Sequence, residues 1–134
     1  MTTVLTALRT RIRDDRGSAV VEFALVVPLV LVVAIGVLQV ALALHVRSTL
    51  TAAAAEGARA GALAYSNPGV AERRTRSILD GALGGDTVEG VEVSRTRIDG
   101  TPVVRVAITA RLPLIGLLGP TAMTVEGHAM EERP

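Results

Sequence analysis

The chain has 134 residues, a formal net charge of +1, no cysteine and 1% aromatic residues. The missing cysteines exclude disulfides, thiolate metal sites and a cysteine nucleophile, and the scarcity of aromatics argues against stacking platforms for bases or sugars. All 14 basic residues are arginine and they are scattered, so with a charge near zero nothing attracts nucleic acid in bulk.

Residues 1–16 form a short basic leader, with Arg9, Arg11, Arg13 and Arg16 offset by Asp14 and Asp15. The junction Arg16-Gly17-Ser18-Ala19-Val20-Val21-Glu22-Phe23 follows, and Phe23 to Leu44 then carries one polar side chain, Gln39, and no charge. At ~1.5 Å per residue this run spans roughly 33 Å, which matches a hydrocarbon core of about 30 Å. It predicts a membrane helix over residues 18–46. Glu22 stands at its mouth, where an ionised carboxylate carried into lipid is costly unless paired or held at headgroup level. Basic residues beside a membrane helix tend to stay in the cytoplasm, and the far flank has only His45 and Arg47 nearby. The N-terminus is therefore expected inside and the bulk of the chain outside. The ordinary alternative is a secretory signal peptide cut near Ala41-Leu42-Ala43, although the apolar core of such a peptide is about 7–15 residues, shorter than this one. Within the run, Pro28 removes a backbone donor and should kink or loosen the helix. Gly36 offers a point of close approach. Both residues are also ordinary in membrane helices.

The alanine-rich stretch Ser48 to Tyr65 has no breaker and should continue the helix. Ala53, Gly57 and Gly61 fall four apart on one face. Small residues at that spacing let a neighbouring helix approach closely, or let the helix pack on its own domain. Ser66-Asn67-Pro68-Gly69 breaks the helix, and Asn67 as N-cap with Pro68 at the first position starts another. Val70, Ala71, Ile78, Leu79 and Ala82 give that helix an apolar stripe, Glu72, Arg73, Arg74 and Arg76 its wet face, and Gly84-Gly85 its end.

The remainder reads as strand. Asp99-Gly100 is a two-residue hairpin signal. With Ile98 opposite Thr101, Val91 faces Ile108 and Val93 faces Val106, and Val104, Val106, Ile108, Ala110 and Leu112 share that face. Ser94 meets Arg105 on the other face, with Glu92 diagonal to it. Leu112 to Pro120 is an apolar loop expected to pack over the sheet edge or a helix, or to touch membrane or a partner. Ala122 to Met130 reads as a third strand. The expected fold is α+β: a long N-terminal membrane helix continuing into an extracytoplasmic helix, a second short helix, and a small antiparallel sheet of about three strands. Residues 1–17 are the leader, 18–46 the membrane helix and 47–134 the outer domain, whose size allows only a modest core.

No catalytic set is visible. His45 and His128 stand in unrelated contexts, without metal-ligand spacing or a nucleophile nearby. Glu131-Glu132 reads as solubilising, and Gly84-Gly85 lacks the lysine and following helix of a phosphate-binding loop. Neither enzymatic activity nor a metal or cofactor is expected.

The junction is more informative. Gly17, four variable residues, then Glu22-Phe23 at the start of a membrane helix resembles the processing site of the type IV pilin superfamily. More closely it resembles the TadE-like pseudopilins of tight-adherence (Flp) pilus systems. Ala24-Leu25-Val26-Val27-Pro28 and Ala55-Glu56-Gly57-Ala58-Arg59 are also similar to that family, so the resemblance covers about residues 16–61. It implies cleavage after Gly17 by a prepilin peptidase, with Ser18 as the new N-terminus. Gly17, without a side chain, suits an extended passage through a narrow protease cleft. Glu22 would pair in an assembled filament with the freed amine of a neighbouring Ser18, since buried charges are tolerated only when paired. Its other reading is a carboxylate near the membrane surface that contacts water and a leader arginine. TadG-like relatives carry a large second domain and the major Flp pilin is usually much shorter, so the resemblance implies a minor pilin or assembly factor. Its partners would be the prepilin peptidase, other pilins and pseudopilins, the pilus assembly platform and membrane lipid, with no nucleic acid. The alternative is an uncleaved single-pass anchor whose outer domain binds a partner in an envelope or secretion complex.

Overall fold

A computed structural model describes residues 2–63, 66–112 and 121–132 of the chain. In chain order the elements are helix α1 (Thr2–Ala62), helix α2 (Pro68–Leu83), a 3-10 turn (Gly85–Thr87) and strands β1 (Val88–Ile98), β2 (Thr101–Leu112) and β3 (Thr121–Met130). The fold is thus mixed α+β. The chain divides into two compact units, Met1–Leu38 and Gln39–Pro134.

The first unit is helix alone. From Gly17 on, its apolar side chains except the half-buried Val27 are exposed, among them Phe23 at 71% and Leu25 at 71%. The most apolar stretch of Gly17–Ala62 has a mean hydropathy of 2.8 and none of it is buried within the protein. One apolar N-terminal helix is therefore present with the length and composition of a single-pass membrane anchor. α1 stays helical through Pro28, which has no N–H to give the carbonyl of Ala24.

The second unit holds the core. Leu50, Ala53, Ala54 and Ala58 of α1 join Ala71 and Leu79 of α2 and Val91, Val106, Ile108, Ala110 and Val125 of the sheet. α1 ends at Ala62, short of Tyr65, because its last carbonyls find other donors. Ser66 Oγ bonds the Gly61 carbonyl, Ser66 N bonds the Leu63 carbonyl at 3.0 Å, and Glu132 N bonds the Ala62 carbonyl at 2.8 Å. Tyr65 itself lies outside the described residues.

α2 begins as its sequence requires. The Asn67 side chain accepts from Gly69 N at 2.6 Å, and the helix ends at Gly84 with φ 75°, a left-handed backbone that glycine adopts without cost. The buried stripe differs from the expected one in two residues. Ala82 is exposed, and Thr75 is buried at 0% in the line running from Ala71 to Leu79. Ala82 falls on the same face, about 20° around the helix from Ala71, but it stands in the last turn of α2, which ends at Leu83. The buried hydroxyl of Thr75 is satisfied by the Ala71 carbonyl at 2.9 Å.

The sheet is an antiparallel meander in the order β1-β2-β3. Ile98 pairs with Thr101, Val91 with Ile108 and Val93 with Val106, the register the turn and the alternation imply. Asp99 at φ 51° and Gly100 at φ 80° are the two left-handed residues of a type I′ hairpin. A bulge between Val88 and Gly90 turns Glu89 to the solvent face, where its carboxylate meets Arg111. Val103 and Ala107 are buried at 4% and 9% although they lie on the face opposite the core. β2 is central, and Ala107 sits between Glu92 and Glu126, Val103 between Thr96 and Met130. The loop expected from Leu112 to Pro120 lies outside the described residues from Pro113 onward.

Candidate functional site

The candidate site is the junction in the first unit. Gly17, Ser18, Glu22 and Phe23 all sit on α1 and are exposed. A Cβ built on Gly17 would meet nothing within 4 Å, so no packing explains a glycine there. Ser18 and Glu22 are four residues apart and share a helix face, where Cβ atoms stand roughly 5–6 Å from one another. Around Glu22 the surface is apolar: Val20, Val21, Phe23, Leu25 and Val26 are exposed at 48–71%. Among the described residues Glu22 makes no ion pair. The arrangement is a carboxylate set in an apolar cylinder, one turn from the residue that cleavage after Gly17 would make N-terminal. Such a group demands a cation or water once lipid or a second helix covers the surface around it. Pro28 and Gly36, on the same segment, are likewise exposed, and Gly36 has open space beside it.

Ala53, Gly57 and Gly61 are placed quite differently. All three are buried in the second unit. A Cβ on Gly61 would stand 2.7 Å from the Ala71 Cβ and 3.3 Å from a Val104 methyl, and one on Gly57 would overlap the Thr75 side chain. In the single chain this face is filled by α2 and the sheet.

Two residues that matter were not singled out from the sequence. Gly127 of β3 packs on the α1 backbone at Ala54 and Ala55, which any side chain there would overlap. It stands in a strand otherwise read as alternating, and a glycine at an inward position is the signal that marks such an approach. The second is Glu126. On the solvent face of the sheet its carboxylate takes a hydrogen bond from Arg105 and has His128 Nε2 at 3.8 Å. The Arg105 hydrogen bond is the main reason its carboxyl titrates below the usual range, with partial desolvation opposing and the charges of Arg105 and His128 adding. Arg105 is correspondingly raised, chiefly by the same hydrogen bond. The Thr109–Thr124 hydroxyl pair at 3.3 Å lies on the same outer face, while Arg95 meets Glu131 at 3.2 Å on the helix side of the sheet.

Comparison with known proteins adds one finding. The family model described as TadE-like protein matches residues 17–59. The matched segment begins at the junction glycine and runs up α1 into its buried half. No curated protein and no solved structure gives a match. Over the segment from Gly17 to Arg59, about a third of its length, the chain is similar to the TadE-like family.

Proposed function

We propose that this protein is a minor pilin, or pseudopilin, that takes part in assembly of a tight-adherence pilus after a prepilin peptidase removes residues 1–17. The observation that carries the reading is where the family match starts: at Gly17, the residue before the expected cut, with the whole apolar helix following it. The N-terminal leader stays in the cytoplasm, the helix spans the membrane, and the second unit stands outside. Cleavage requires the helical turn at Gly17 to open. Glycine lowers the cost of opening, because it contributes about 1 kcal/mol less to a helix than alanine does. Once Ser18 carries a free amine, Glu22 of a neighbouring helix offers it a counter-charge within the apolar packing. A wrong stagger of the helices leaves both charges unpaired, which is strongly disfavoured. The pairing therefore fixes the axial register of one subunit against the next.

A second reading rests on the helix itself. α1 is unbroken from Thr2 through Gly17, as in an uncleaved single-pass anchor whose outer unit holds a partner of an envelope complex. Intact mass and N-terminal sequence of the membrane-extracted protein, with and without the peptidase, separate the two. The pilin reading expects a chain starting at Ser18, lost on Gly17→Arg. A full-length chain in both backgrounds sinks it and leaves the anchor.

A further inference from the structure

We infer that the outer edge of β3 takes strand β1 of a second copy of this chain, adding subunits head to tail in one continuous sheet. Among the described residues β3 pairs with β2 alone. Strands exposed in this way are usually guarded by charges, proline, bulges or brevity. β3 is weakly guarded: it is ten residues long, Thr121 to Met130, its one carboxylate, Glu126, is already held by Arg105, it has no proline, and its ladder with β2 is unbroken. β1 is bulged only at its start, between Val88 and Gly90, and its ladder is regular from Val91 to Ile98.

Strand direction selects the occupant. β3 runs in the same sense as the stretch of α1 beneath it: Gly127 lies on Ala54, and five residues later Glu132 bonds the Ala62 carbonyl. Antiparallel pairing of two β3 strands would send the two α1 helices in opposite directions. Copies that enter one membrane from the same side, as the reading above holds, exclude that pairing. β1 is codirectional with β3, since both run against β2, so β1 of the next copy can join the edge with both helices aligned.

Register and charge agree with this. Through β2, Arg97 is level with Glu131 and Thr96 with Met130. An unstaggered junction therefore sets Arg97 of one copy, which has no partner among the described residues, beside Glu131 of the next, which it would share with that chain's own Arg95, with Glu132 alongside. It also brings together Ile98 and Met130, which are exposed at 47% and 75% in the single chain. The one like-charged meeting is Glu92 with Glu126, and Glu126 already holds Arg105.

The absence of cysteine makes the test clean. Thr96→Cys and Met130→Cys are introduced in separate full-length chains, and the chains are oxidised in membranes singly and mixed. Within one chain the two positions are two strands apart, roughly 10 Å, too far for a disulfide, which needs Cα atoms within about 7 Å. Mixed chains are expected to give a cross-linked dimer, each variant alone none, and a chain carrying both cysteines a ladder of multimers. Arg97→Glu should lower the mixed yield about two- to fivefold, the scale of an exposed ion pair. A cross-link in Met130→Cys alone, or cross-links only to a different protein, overturns the inference. So does the absence of any cross-link in a mixture that fractionation shows to be membrane-bound. Recovery of the chain in the soluble fraction would instead count against the membrane reading, and the cross-link pattern would still decide the edge.

Discussion

A Cβ placed on Gly57 of α1 would overlap the side chain of Thr75 on α2, so the two helices meet where one has no side chain and the other a buried, internally bonded hydroxyl. Thr75 has little room to yield, because its Oγ already donates to the Ala71 carbonyl at 2.9 Å. Gly57→Ala gains up to about 1 kcal/mol in helix propensity. It loses about 1–3 kcal/mol to overpacking and forces the hydroxyl off its acceptor. The expected outcome is a lower Tm in detergent, followed by circular dichroism. Thr75→Ala in the same chain should recover most of the loss, and failure to do so would mean that the contact is not the cause.

Gly127→Ala should be worse. In an open strand, alanine for glycine is mildly favourable, since glycine weakens strands. Here the new methyl would meet main-chain atoms of Ala54 and Ala55, which have no rotamer to change. A loss of about 3 kcal/mol or more is expected, at the upper end of overpacking costs. Hydrogen exchange would show it as lost protection along β3 and over residues 50–58 of α1.

Asn67→Ala removes the side chain that accepts from Gly69 N. Loss of such a cap costs about 1 kcal/mol, and Asn67→Asp should keep nearly all of it. Thermal melts of the two variants side by side check this.

The Arg105–Glu126 contact predicts a pH effect of definite sign. The carboxyl of Glu126 is lowered in the folded chain, while an unfolded glutamate titrates near ~4.3. Its contribution is therefore fully present above about pH 4.3 and is lost as pH falls through the lower folded value. The Tm difference between wild type and Glu126→Gln should be small at neutral pH, because the pair is exposed, and should shrink further in acid. A difference that grows on acidification would contradict the assignment.

Glu22→Gln tests the proposed register. The amide keeps the size of the side chain and loses its charge. Cleavage after Gly17 should proceed, while co-purification with pilus components falls at least tenfold, the scale of a buried charge left without its partner. Unchanged incorporation would reduce Glu22 to a headgroup-level carboxylate.

Much of this fold can be read before any coordinates, and the parts that cannot have a common cause. The hairpin is legible because Asp99-Gly100 permits few geometries, and one register then puts Val104, Val106, Ile108, Ala110 and Leu112 on one face. Asn67-Pro68 and Gly84 mark α2 for the same reason: the backbone at those points needs particular residues. What stays hidden is the choice of partner. The spacing of Ala53, Gly57 and Gly61 announces a close approach but is silent on whether α2 or another subunit fills it. Thr75 looks like a surface residue until the crossing point of two helices is known. Val103 and Ala107 are buried by side chains of flanking strands, and Gly127 has no side chain to carry a pattern. At the junction, spacing within one segment identifies the motif, whereas the counter-ion for Glu22 belongs to another molecule.

The shared direction of β3 and the upper part of α1 has a mechanical consequence. A pull along α1 toward its N-terminus is handed to β3 where Gly127 grips Ala54 and where the Glu132 amide holds the Ala62 carbonyl. β3 is then dragged lengthwise along β2, so the rungs from Val103–Met130 to Leu112–Thr121 bear the load together rather than opening one after another from an end. Loaded in shear, the small unit resists tension better than its thermal stability alone would indicate.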